Sequence, residues 1–431
     1  MSADRTLPLL PGNGMLWRGK ENRTVMEFSQ KKFNQLIEQY STNGKIFSLD
    51  LEKLNTLANK LASVVEESIL EPSFWQDPEF TINGRNIITP VNSKDTIQFC
   101  LIAVAQFFSY WYKDGSKEKV AVNKVEVYRD RIKTWGINTS GDAGFIDDTI
   151  AVLYCIARAV ESGIDLLSSK RLKEVTDDDM HEIYRDEKSG KTLIPMPKER
   201  KHKFLEIGRG LEKFGRDYQV EPHFSEILKR SNGKLLKLLG ILRDYFPFSY
   251  GDPFLKLPLL MIKFLWGRLP VNLKRYAIHL ECYDNYENLL ELEDTNLFEA
   301  QADYMVPLFF IRTGIFRVGD PEVLEKLVQN REIGMESDIE KTYRALTVRA
   351  IRLLADKITE ILEVKDREGT YRGALRFLLD SLFWQNAVLK CREHTYDRRI
   401  GSTCSYSDIC DACDDDRLML AGFPLVRTWY Y

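Results

Sequence analysis

Along most of this chain apolar residues return every three or four positions, the spacing of one face of a helix. After Asp50, a fitting N-cap, the residues Leu51, Leu54, Leu57, Leu61, Val64 and Val65 keep that spacing. A second helix is predicted to open at Asp95 and run through Ile97, Leu101, Val104, Ala105 and Phe108 to Trp111; it is too apolar all round for a surface helix. Helices follow over 149–162, ended by Gly163, and at a short segment opened by Thr176 and Asp179. Another covers 197–217, with Phe204, Leu205, Leu211 and Phe214 on one face. Others are predicted near 224–230, 235–245, 254–266, 321–329, 339–362 and 371–391. Residues 74–92 read as irregular, with a short strand around Ile87 and Ile88. The sequence holds no internal repeat and no sustained alternation of the kind a large sheet needs. The pattern predicts an all-α fold, one large multi-helix domain with at most a minor β element.

The globular body is expected over 47–431. A partly flexible extension over 1–46 precedes it, with Pro8, Pro11, Gly12 and Gly14 ahead of a polar, helix-compatible stretch. With 44% hydrophobic and 29% charged residues the composition is that of an ordinary soluble globular protein. The charge balance, 61 basic against 64 acidic residues, is more telling. A protein that grips a polyanion along its backbone carries a basic excess, so a nucleic-acid polymer is not the expected partner. No apolar run approaches the roughly 20 residues that span a bilayer, so no membrane partner is expected. The first five residues do not open a secretory signal, and seven cysteines, an odd number, fit reduced thiols in the cytoplasm.

Candidate chemistry centres on Gln301-Ala302-Asp303-Tyr304-Met305-Val306-Pro307, between an acidic run at 291–295 and an apolar run closed by Gly314. Asp303 falls just inside the start of a short apolar helix, where the positive end of the helix dipole favours a carboxylate. Two readings stand: a helix cap, and a carboxylate at the edge of a pocket facing a developing positive charge. Phosphate-binding patterns fail elsewhere. Ser189-Gly190-Lys191-Thr192 has Arg185 where the required glycine belongs, and no strand precedes it. Gly208, Gly210 and Gly215 lack the dinucleotide spacing. Cys155 and Cys282 lie in apolar contexts where thiols are inert, and His181, His223 and His279 offer no metal spacing.

Five segments, in order, resemble one known family. Ala302-Asp303-Tyr304 followed by Pro307 looks like the signature of the queuosine salvage proteins, the queuosine 5′-phosphate N-glycosylases. Phe108-Ser109-Tyr110-Trp111 and Arg158-Ala159-Val160-Glu161-Ser162-Gly163-Ile164 are similar to two of its segments. So are Leu378-Leu379-Asp380 with Phe383-Trp384, and Arg427 followed by Tyr430-Tyr431.

The resemblance, over about 47–431, implies a helical fold similar to that of helical DNA glycosylases. It implies hydrolysis of the N-glycosidic bond of queuosine 5′-phosphate or a related 7-deazaguanine nucleotide, a small-molecule substrate, with no redox or nucleotide cofactor. Asp303 is then the catalytic carboxylate against the sugar. Asp380 binds the departing base or assists its protonation, Phe108, Trp111 and Trp384 wall it, and Lys256 aligns with a lysine that can meet the 5′-phosphate. Tyr304 and Arg427 complete the matched set, and Arg344 matches a family arginine. The departures are Gln301 for a phenylalanine, Ser381 for a tyrosine, Gln385 for an aspartate and Thr89 for a histidine. They imply either an altered base preference or a member that binds without turnover; a nucleic-acid glycosylase is the further rival. An insertion relative to the family covers about 396–420. There Cys391-x-x-His394 and Cys410-x-x-Cys413, with Cys404 between, are spaced compatibly with zinc, but free thiols beside Asp414-Asp415-Asp416 are the expected state and no metal is expected.

Overall fold

Short polar side chains mark where many helices begin. Ser29, Asp50, Thr176, Asp320 and Ser337 each accept a backbone N–H from the turn that follows. The computed structural model describes residues 28–42, 44–69, 81–82, 85–86, 93–113, 120–122, 124–126, 145–192, 194–266, 292, 294–387, 391 and 404–431. Their helices in chain order are α1 (Gln30–Ser41), α2 (Leu51–Ile69), α3 (Ser93–Ala105), α4 (Asp148–Glu161), α5 (Ser169–Leu172), α6 (Asp177–Tyr184), α7 (Pro197–Tyr218) and α8 (Phe224–Ser231). Then come α9 (Leu235–Tyr245), α10 (Pro247–Tyr250), α11 (Lys256–Trp266), α12 (Met305–Arg312), α13 (Pro321–Val328), α14 (Asp338–Ile361), α15 (Thr370–Asn386) and α16 (Asp416–Leu420). The strands form only two-stranded pairs of two or three residues, among them β1 (Phe47–Leu49) antiparallel to Phe316–Val318. The fold is all-α, as the hydrophobic spacing predicts.

The 24-residue helix α14 packs against α1, α2, α12 and α15. It buries Tyr343, Leu346, Ile351, Leu354 and Ile358 completely or nearly so. Each such apolar side chain contributes about 1.5–3 kcal/mol. Helix α1 lies within the stretch expected to be an extension, yet it buries Phe33 and Ile37 against this helix. Two glycines inside α7 have a packing reason. A Cβ at Gly208 would sit 2.7 Å from the backbone of α5, and one at Gly210 would strike Tyr245 and Phe246. Among the described residues no helix is long and apolar enough to cross a membrane.

One predicted helix is shorter than expected. α3 ends at Ala105, and Trp111 opens the strand Trp111–Lys113 instead of closing a helix. The cause is tertiary. Buried Arg200 on α7 takes the carbonyls of Gln106 and Phe108, and Ser109, at φ +41°, bonds through its hydroxyl and amide to Thr428 and Tyr431. These contacts replace the ladder that would have continued the helix. The strand predicted at Ile87 and Ile88 lies outside the described residues.

Candidate active site

Asp303 ends an extended stretch and precedes α12. Its Oδ1 accepts the N–H of Met305 at 2.8 Å and of Val306 at 3.1 Å, so it caps the helix. Its Oδ2 lies 3.2 Å from Nζ of Lys256, and the two side chains are 7% and 10% exposed. The cap and the charged, enclosed carboxylate are therefore one arrangement: three donors converge on a single buried carboxylate.

The lysine comes from α11, an apolar helix whose start is set by Asp252. That carboxylate accepts the N–H of Lys256 at 2.7 Å and of Phe254 at 3.1 Å. Two turns further on, Lys263 leaves the same helix and meets Asp380 of α15, Nζ to Oδ2, at 3.4 Å. The other oxygen of Asp380 accepts the backbone N–H of Gln301 at 2.9 Å, which ties α15 to the stretch leading into Asp303. Burial pushes the Asp380 carboxyl above its ordinary range, against the pull of Lys263 and Lys256. Burial also lowers Lys263 to about 8, with Asp380 pulling it back up. Lys256 and Asp303 bear on both proton affinities, so the two buried pairs form one electrostatic unit.

A third buried pair frames these two. Arg344 of α14 holds Asp252 with two parallel bonds of 2.9 and 2.6 Å, and its Nε donates to the carbonyl of Ala302 at 3.0 Å. The guanidinium lies 4.3 Å from the ring of Tyr431 and 4.5 Å from that of Phe254. Tyr304, next to Asp303, packs its ring against Phe423 and Tyr431.

The sequence candidates therefore separate into two groups. Asp303, Asp380, Lys256, Tyr304 and Gln301 are brought together. Gln301 is 1% exposed, and its side-chain Nε2 finds no hydrogen-bond partner among the described residues. Ser381 and Trp384 follow Asp380 on α15, half-buried. The remainder pack elsewhere. Phe108 is fully buried, its ring facing Arg200 at 4.2 Å and Lys203 at 4.3 Å. Trp111 is buried beside Arg427, whose half-exposed guanidinium lies 5.2 Å from the indole and 3.7 Å from Glu332. Ser109, between these two aromatics, bonds to Thr428 and Tyr431 of the C-terminal segment. Thr89, His394 and the side chain of Gln385 lie outside the described residues.

Cys391 is buried, Cys410 donates to the carbonyl of Arg312 at 3.4 Å, and Cys413 is exposed. Among the described residues no three histidine, cysteine or acidic side chains are grouped to hold a metal ion. Sequence reasoning missed Lys263, Asp252 and the role of Arg344. The first had a signal: Lys256 and Lys263 are the lysines of an otherwise apolar helix, two turns apart.

Asp303 and Asp380, the latter a buried acid of raised proton affinity, are tied together through the backbone of Gln301 in one buried cluster. The model of the queuosine salvage protein family matches residues 88–405, a span that holds Asp252, Lys256, Lys263, Asp303, Arg344 and Asp380. A curated relative from Sphaerobacter thermophilus, named queuosine 5′-phosphate N-glycosylase/hydrolase, is 27% identical over 224 residues. The alignment covers 50% of this chain and 60% of that relative's length.

Proposed function

This chain belongs to the queuosine salvage protein family, and from that membership we propose that it hydrolyses the N-glycosidic bond of queuosine 5′-phosphate or a related 7-deazaguanine nucleotide. The products are the free base and ribose phosphate. The observation that carries the reading is the enclosed Asp303 carboxylate with Asp380 linked to it through Gln301. As the bond between base and ribose breaks, positive charge gathers on the sugar, and Asp303 stabilises it at close range. Asp380, its proton affinity raised by burial, delivers a proton to the departing base. Lys263 neutralises the carboxylate left behind. Water takes the place of the base on the sugar carbon and gives up a proton that returns to Asp380, so the cycle closes without a redox or nucleotide cofactor.

The second reading is a nucleotide-binding protein of the same fold without turnover. One observation favours it: Oδ1 of Asp303 already serves two helix N–H donors and Oδ2 serves Lys256. Incubation with queuosine 5′-phosphate, with chromatography of released queuine, separates the two. Base release that Asp303→Asn strongly lowers supports hydrolysis; tight nucleotide binding with no release supports the alternative. Salt-dependent binding to an oligonucleotide would instead revive a nucleic-acid glycosylase.

A further inference from the structure

We propose that Arg344 is a positioning residue that sets how far the Asp303 segment lies from helix α11, and so holds Lys256 against Asp303. The proposal rests on the reading of Asp303 and Lys256 as working parts of the site.

The bonds form a closed ring. From Asp303 the chain steps back one residue to Ala302, whose carbonyl takes Nε of Arg344 at 3.0 Å. The other two guanidinium nitrogens hold Asp252. Asp252 in turn holds the backbone N–H of Lys256 at 2.7 Å, and the Lys256 side chain returns to Asp303 at 3.2 Å. Each link is buried; the side chains of Arg344 and Asp252 are both 1% exposed.

The ring needs arginine. A guanidinium presents its donors in one rigid plane, so two can grip a carboxylate while a third points at a carbonyl. An ammonium at the same place keeps the charge facing Asp252 but cannot hold that geometry across to Ala302. The rings of Phe254 and Tyr431 lie against the guanidinium and fix its plane. The charge of Arg344 is thereby spent on alignment, since Asp252 already neutralises it.

Arg344→Lys is the test, read first on Lys256 itself. Acetylation by dilute acetic anhydride, followed by peptide mass spectrometry, reports how free each lysine amine is. In the variant, Lys256 is expected to label several-fold faster as its amine leaves the Asp303 carboxylate that holds it, while surface lysines keep their rates. Asp252→Asn, which loosens the same link from its other side, is expected to do the same and serves if the lysine variant does not fold. An unchanged Lys256 rate in folded protein overturns the proposal, and so does faster labelling spread evenly over all lysines. Turnover gives a second arm. Arg344→Lys is expected to lower base release about 100-fold in the wild-type background, and to add little once Lys256→Met has removed the group it positions. Fully additive losses overturn the proposal. A wild-type chain that releases no base counts against the hydrolase reading alone, because the labelling arm still decides the role of Arg344.

Discussion

Lys263 and Asp380 face each other at 3.4 Å with both side chains 5% exposed. Burial works against the charge of each, lowering the proton affinity of the amine and raising that of the carboxyl. Each partner offsets part of that effect in the other, since Asp380 raises the proton affinity of Lys263 and Lys263 lowers that of Asp380.

If the chain hydrolyses its nucleotide as proposed, the pair predicts a basic limb for base release. Lys263 loses its proton as pH rises through about 8, which removes the charge that stabilises the Asp380 carboxylate after proton delivery. Base release should fall above that pH, and Lys263→Arg, which does not titrate there, should move the fall upward. Stability should move the other way. Between about 8 in the folded protein and the ordinary 10.5, the unfolded chain holds more protons at this position. The contribution of Lys263 to stability accordingly rises with pH across that window. A pH–rate profile beside chemical denaturation at the same pH values checks both signs.

Asp303→Asn should cost roughly 100- to 1000-fold in base release, the scale of a single lost electrostatic partner of the transition state. The helix cap should survive, because an asparagine oxygen accepts the N–H of Met305 and Val306 as well as an aspartate oxygen does. Lys256 then lacks its counter-charge in a nearly closed site, so the melting temperature should drop modestly. Circular dichroism on the variant, alongside the chromatographic assay, checks that the loss is chemical.

How far the sequence reaches is seen by comparing α11 with the loop after α3. Lys256 and Lys263 break an apolar run at a two-turn interval, and that spacing alone places both on one face. Asp303 before an apolar run likewise marks a cap without any coordinates. The loop at Gln106–Tyr110 had no such local cue. Its residues favour a helix, and the group that stops it, Arg200, is more than 90 residues away in the chain. The pairing of Arg344 with Asp252 is hidden for the same reason, since 92 residues separate them. Local caps and periodicity are written in neighbouring residues; buried ion pairs between distant helices follow from packing, which a single sequence does not display.

Tyr431→Phe tests how the segment after Phe423 supports the site. The Tyr431 hydroxyl lies 2.7 Å from that of Tyr343 and donates to Glu340 at 2.8 Å, all three groups being buried. Phenylalanine keeps the ring against Arg344 but leaves the other two short of a partner, at a cost of about 1–3 kcal/mol. The denaturation midpoint should fall by a corresponding amount, while base release at a permissive temperature stays near wild type. A large loss of turnover without loss of stability would instead place the hydroxyl in the chemistry.

Gln301→Phe restores the residue that the resembled family carries at this position. The Gln301 side-chain N–H is buried with no partner among the described residues, which costs about 1–3 kcal/mol unless something bound to the site accepts it. A ligand with an acceptor at that place would satisfy this N–H, and a hydrocarbon ring there forgoes that bond. The backbone bond from Gln301 to Asp380 does not depend on the side chain and should persist. The variant should thus be at least as stable as wild type in the absence of ligand. It should also lose affinity, by about 10-fold or more, for whichever 7-deazaguanine nucleotide the wild-type chain prefers. Differential scanning fluorimetry and calorimetric titration with the same nucleotide measure the two effects separately. Equal binding by both chains would mean that the amide faces packed protein rather than ligand.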